Sequence, residues 1–149
     1  MTTEDKKDKA QKFVHVKMGL LHRFSDDITL IERSPGGDNY DKELKKVLKV
    51  LKGKELGPNE RQKIISKKQK GNWWAQCDTH NIVHIFLISV DYKNYLAGQM
   101  ITESETKLGQ VDEYYKMSPK EVYKAFDEEF GKILDKYNNP ATCDALSSA

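Results

Sequence analysis

The chain switches between two hydrophobic periods, and the switches predict its elements. From Phe13 to Met18 the residues alternate as on a strand, Gly19-Leu-Leu21 continues the run, and Ile28-Thr-Leu-Ile31 resumes it after His22-Arg-Phe-Ser-Asp-Asp27. Two such runs around a Ser-Asp-Asp turn predict a β-hairpin, because side chains two residues apart share a face of a strand. Ser34-Pro-Gly-Gly-Asp-Asn39 breaks the second strand. From Tyr40 the period lengthens. Tyr40, Leu44, Val47, Leu48 and Leu51 fall on one stripe of a helix, and Lys42, Lys45, Lys46, Lys49 and Lys52 lie off it. Asp38 or Asn39 can cap this helix, Asp41 and Glu43 suit the positive end of its dipole, and Gly53 and Gly57-Pro58 end it.

The basic stretch from Asn59 to Lys70, with Ile64-Ile65 inside it, reads as a short helical turn or a loop. Asn72 to Cys77 and Ile82 to Val90 flank the turn Asp78-Thr-His-Asn81 and predict a second hairpin. Asp91-Tyr-Lys-Asn94 repeats the turn signal, so Tyr95 to Ile101 is expected to be the third strand of a meander and Thr102 to Lys116 a loop. A helix then starts at a capping box: Ser118 as N-cap, Pro119 in the first helical position, Glu121 in the third, and Met117 with Val122 as a hydrophobic staple. Val122, Phe126, Phe130, Ile133, Leu134 and Tyr137 form its inner face, and Asn138-Asn-Pro140 stops it.

Ile82 to Ile88 is apolar almost throughout, with His84 set inside it, which is the pattern of a strand covered on both faces. Adjacent Trp73 and Trp74 must also point to opposite faces, so both sides of the sheet need cover. The expected architecture is therefore α/β, ordered ββαβββα, with about five mainly antiparallel strands between helices.

At 149 residues the chain fits one domain, read here as residues 13–138 between a polar leader (1–12) and a small-residue tail (139–149). A net charge of +2 argues against a dedicated nucleic-acid binder, although Lys45 to Lys70 with Trp73 or Trp74 as a stacking platform keeps that alternative in view. No stretch approaches the ~20 apolar residues of a membrane span, and the first residues lack the apolar centre of a secretory signal, so a cytoplasmic location is expected. Cys77 and Cys143 have no zinc-ligand spacing, and Cys77 reads as a small core side chain. His80 and His84 share a strand face but stand about 13 Å apart along it, too far to share a metal. His84 is better read as a buried histidine with its ring nitrogens satisfied. No nucleophile elbow, phosphate loop or dinucleotide fingerprint occurs, so no catalytic residue, cofactor or metal is expected.

The order of elements, with Asn81-Ile-Val-His-Ile-Phe-Leu-Ile-Ser-Val-Asp-Tyr-Lys-Asn-Tyr-Leu-Ala-Gly-Gln-Met-Ile101 and the later helix Glu121-Val-Tyr-Lys-Ala-Phe-Asp-Glu-Glu-Phe130, resembles a longin domain. Longins are the profilin-like N-terminal modules of R-SNAREs, and the Leu-Ala-Gly stretch is most similar to the prenylated type. The resemblance implies a non-catalytic interaction domain of vesicle traffic and membrane fusion, autoinhibitory or targeting, on the cytosolic face of endomembranes. The implied partners are its own SNARE segment, another SNARE, or a coat or tether protein; a longin-like subunit of a coat or tethering complex is the neighbouring reading. The family's groove lies between the first helix and the strand that follows it. Carried over, it places Leu44, Val47, Leu48, Val50 and Leu51 beside Trp73, Ala75 and Cys77. Lys42, Lys45, Lys46, Lys49 and Lys52 are candidate contacts for an anionic membrane.

Overall fold

The computed structural model describes residues 15–69 and 71–139. The polar leader, Phe13, Val14, Lys70, Cys143 and the tail beyond Asn139 lie outside the described residues. Along the chain run β1 (Val16–Arg23), β2 (Ile28–Arg33), α1 (Asp41–Gly53), β3 (Arg61–Ser66), β4 (Gly71–Cys77), β5 (Ile82–Ser89), α2 (Asn94–Leu108), a 3-10 turn (Tyr114–Lys116) and α3 (Pro119–Asn138). The strands form one antiparallel sheet in the order β2-β1-β5-β4-β3. Among the described residues the protein is thus mixed α/β with a five-stranded antiparallel sheet and three helices.

Every residue of β5 is buried, as the apolar run from Ile82 requires. Its two faces feed separate cores. On one side Val83, Ile85 and Leu87 pack with Trp73 and Ala75 beneath Leu44, Val47 and Leu51 of α1. On the other Ile82, Phe86 and Ile88 pack with Trp74 beneath α2 and α3. The expected opposition of Trp73 and Trp74 is therefore present, and each tryptophan anchors a different layer.

Two elements differ from the sequence reading, and the two errors offset in the strand count. Asn59 to Lys70 holds a strand, β3, rather than a helical turn or loop. It is the outer edge of the sheet, paired only with β4, and its mostly exposed Arg-Gln-Lys-Ile-Ile-Ser shows no core pattern. Tyr95 to Ile101 is not a strand: it opens α2, which runs on through most of the expected loop to Leu108. Leu96, Ala97, Met100, Ile101, Ser104 and Leu108 are the buried positions, and their spacing is that of one helix face. Gly98 lets this helix lie close to β3, where a Cβ would come within 2.8 Å of the Arg61 guanidinium.

Local signals hold the helices where they start and stop. Asn39 Oδ1 accepts from the Asp41 amide at 2.8 Å, satisfying one orphan donor at the start of α1. The capping box of α3 is complete: Ser118 Oγ accepts from the Glu121 amide and the Glu121 carboxylate accepts from the Ser118 amide. At its far end, Asn138 exchanges two hydrogen bonds with the backbone of Val16, at 2.7 and 3.0 Å, and so closes the chain onto the start of β1.

A close helix–sheet contact lies at Gly19 of β1. A Cβ there would meet Phe86, Phe130 and Leu134, each at 3.0 Å, in a core with no slack. Gly19→Ala is expected to lower stability by roughly 1–3 kcal/mol, the usual cost of overpacking. Denaturant unfolding of wild type and variant measures it, and an unchanged midpoint would contradict this packing.

Candidate functional site

Among the described residues α1 is the helix over its face of the sheet; it meets β3 at Ser66, and a groove opens between the two beyond that contact. It has a volume of about 350 Å³, and Val47, Val50, Ile64, Ile65 and Trp73 supply its apolar lining. Lys46, Lys67 and Lys68 stand at its rim, all exposed. Glu43 also borders the groove, but its charge is engaged: Oε1 accepts from Trp73 Nε1 and from Ser66 Oγ, both at 2.6 Å. That carboxylate ties α1 to β4 and to the end of β3, which fixes the width of the groove at this point. Tyr40 packs edge-on against Trp73 beside it.

The residues singled out from sequence divide into two sets. Leu44, Val47, Leu51, Trp73 and Ala75 are buried and hold α1 to the sheet, while Cys77 is buried outside that cluster. Leu48 is half-buried against the same core. Val50 is 42% exposed and open to a ligand. The strand that follows α1 is β3, so Ile64 and Ile65 occupy the positions sequence reasoning gave to β4. Their only signal was a paired isoleucine in a basic stretch.

His84 lies at the opposite end of the sheet from this groove's rim lysines, in a closed polar cluster. Its Nδ1 is 2.8 Å from Ser104 Oγ and its Nε2 3.2 Å from Asp78 Oδ2, while Tyr114 donates to the same Asp78 oxygen at 2.8 Å. Asp78 Oδ1 accepts from the amides of His80 and Ile82, which pins the β4–β5 turn. The Ser–His–Asp sequence of contacts carries the ring reversed relative to a serine hydrolase, where Nε2 faces the serine. Ser104 and His84 are also fully buried, so no substrate reaches the hydroxyl. The cluster braces β5, α2 and the turn before α3 together.

Burial alone would push the Asp78 carboxyl up, but His84, the Tyr114 hydroxyl and the His80 amide favour the ionised form and leave its pKa below the usual value. A depressed carboxyl contributes stability that is present above its unfolded pKa, ~3.9, and is lost as pH falls through the folded value. Tyr114 is pushed well above the usual tyrosine range by burial and by the Asp78 charge, so it remains a donor across the working range. Asp78→Ala strands the buried donors of His84 and Tyr114, at about 1–3 kcal/mol each. The expected result is a large stability loss at pH 7 that shrinks toward pH 3, read from denaturant midpoints; a loss equal at both pH values would contradict the charge contribution.

Neither a protein-family model nor a curated protein matches this sequence. No helix among the described residues is long and apolar enough to cross a membrane. Among the same residues no group of His, Cys, Asp and Glu is placed to hold a metal ion.

Cys77 is buried at the Asp78 end of β4 and does not line the groove. Burial, reinforced by the charges of Asp78, Glu105 and Glu60, pushes its thiol up to about 11. Since the thiolate is the nucleophile, only about one molecule in a thousand carries it at pH 8. In a Cys143→Ser background, Cys77 is expected to resist iodoacetamide in native protein and to react promptly once unfolded. Rapid labelling of the folded protein would show that this end of β4 opens.

Proposed function

We propose that the chain is a longin-like, non-catalytic interaction domain of the vesicle-traffic machinery, whose α1/β3 groove docks an amphipathic segment. The occupant is its own SNARE segment, or a SNARE, coat or tether partner, at the cytosolic face of endomembranes. The observation that carries this reading is the open apolar groove beside the first helix and the strand after it. Its support is the order ββαβββ followed by helices, which fits the profilin-like arrangement that the resemblance implies. A helix presenting residues at i, i+3, i+4 and i+7 would lay an apolar stripe along Val50 and Ile64.

The nucleic-acid alternative loses its stacking platform. Trp73 is 1% exposed with its indole N–H given to Glu43, and Trp74 is 9% exposed beneath the Lys63 ammonium. Base stacking needs an open ring face, and neither tryptophan offers one. Catalysis lacks an accessible nucleophile–base pair at the groove, where Ser66 Oγ donates to Glu43.

The test is titration with a synthetic SNARE-type amphipathic helix, followed through backbone amide signals. Shifts are expected at Val47, Val50, Ile64 and Ile65, and Val50→Asn should weaken binding by about tenfold, since burying an unpaired amide costs 1–3 kcal/mol. Val50 is exposed, so the variant keeps its fold. Unchanged spectra at high peptide excess would overturn the groove assignment.

A further inference from the structure

The charge of this protein is concentrated in one part of the chain. Residues 41–69 hold nine lysines and one arginine against four acidic residues, a surplus of six, whereas the whole chain carries only +2. The rest of the chain is therefore net acidic by four. The fold converts this asymmetry in sequence into one in space, because among the described residues α1 is the helix over one face of the sheet and α2 and α3 cover the other.

On α1 the lysines form an ordered line. Lys42, Lys45, Lys49 and Lys52 follow one another at intervals of three and four, on the side away from buried Leu44, Val47 and Leu51, and all four are exposed. The line is about 15 Å long at 1.5 Å per residue. Lys46, Lys67 and Lys68 broaden it toward the β3–β4 turn, also exposed. Among the described residues, only Lys52 of these seven has an ion-pair partner, Asp27 of the β1–β2 turn. The acids of α1 give no relief: Asp41 sits at its N-terminus and Glu43 is held by Trp73 and Ser66. On α3, by contrast, Lys132 pairs with Glu128 and Lys136 with Glu103.

An ordinary solvated helix face mixes signs, because like charges three and four residues apart repel. Here the repulsion among Lys42, Lys45, Lys46 and Lys49 is left standing on the outermost layer of the molecule. A line of lysines along a convex helix cannot all be met by a ligand seated in the adjoining groove, but a flat polyanion meets them together. We infer that the outer face of α1, with Lys67 and Lys68, is an attachment surface for an anionic phospholipid membrane. The acidic α2/α3 side then faces away from the bilayer, and the groove lies along the edge of the contact.

The experiment is co-sedimentation of the full chain with phosphatidylcholine vesicles with and without phosphatidylserine, at low and high salt. Expected are partition onto the phosphatidylserine vesicles alone and its loss as salt screens the contact. Each lysine removed should weaken partition about fivefold, so Lys42→Gln with Lys45→Gln and Lys49→Gln together should cost roughly a hundredfold. The triple variant keeps or gains thermal stability, since it removes repulsion and no packing. Val50→Asn, which impairs the groove, should bind vesicles as wild type does, so this surface and the groove fail separately. Partition that ignores phosphatidylserine, survives the triple substitution, or is matched by equal affinity for polyglutamate or duplex DNA would overturn the assignment.

Discussion

The structure depends on burying β5 from both sides. A strand with apolar residues on both faces cannot sit at a solvent-facing sheet, and at the centre of five strands it must be covered twice. Its neighbours β1 and β4 then supply side chains to both cores, as the opposite placement of Leu20 and Leu21, and of Trp73 and Trp74, shows. Among the described residues, one face is closed by α1 and the other by α2 with α3. The groove is the space between α1 and the outer strand β3.

How legible each part was in the sequence follows from how much of it is core. β5, the first hairpin, α1 and α3 each carry a full apolar stripe or run, and each lies where its pattern predicts. β3 carries little core, and edge strands commonly bear charges that discourage further pairing, so its Arg-Gln-Lys gives no period to read. The reverse failure at Tyr95 to Ile101 came from length. Seven residues with Tyr, Leu, Met and Ile after a turn signal look like a strand, and only the extension to Ser104 and Leu108 reveals the helical spacing. Ser104 adds to the difficulty, because a buried serine contributed by the helix to His84 interrupts the apolar stripe.

The same missed strand explains what was legible of the groove. Of the helix residues given to the groove, Leu44, Val47 and Leu51 are buried on the sheet, Leu48 packs beside them, and off-stripe Val50 is what remains exposed. The strand side was assigned to the next β-rich run, which proves to be β4, and β4 reaches the groove only through Trp73, since all of its residues are buried. Ile64 and Ile65 could be found only after β3 was known to be a strand, since a pair of isoleucines has no meaning for a groove until its neighbour is fixed.

Helix α1 thus divides its surface three ways. Leu44, Val47 and Leu51 face the sheet, Val50 and Lys46 face the β3 edge, and Lys42, Lys45 and Lys49 face outward. These demands rest on one short helix of thirteen residues, so its rotation about its own axis must be fixed. A turn of one residue, 100°, would carry lysines into the core and open the leucines to solvent. The Glu43 carboxylate, held at once by an indole and a hydroxyl, supplies that constraint at one end, and Lys52 against Asp27 supplies a weaker, solvent-screened one at the other. The clamp at Glu43 also sits at the groove. An occupant that pulled on Trp73 or Ser66 would therefore act directly on the orientation of the lysine line, giving the two surfaces a physical route by which one can sense the other.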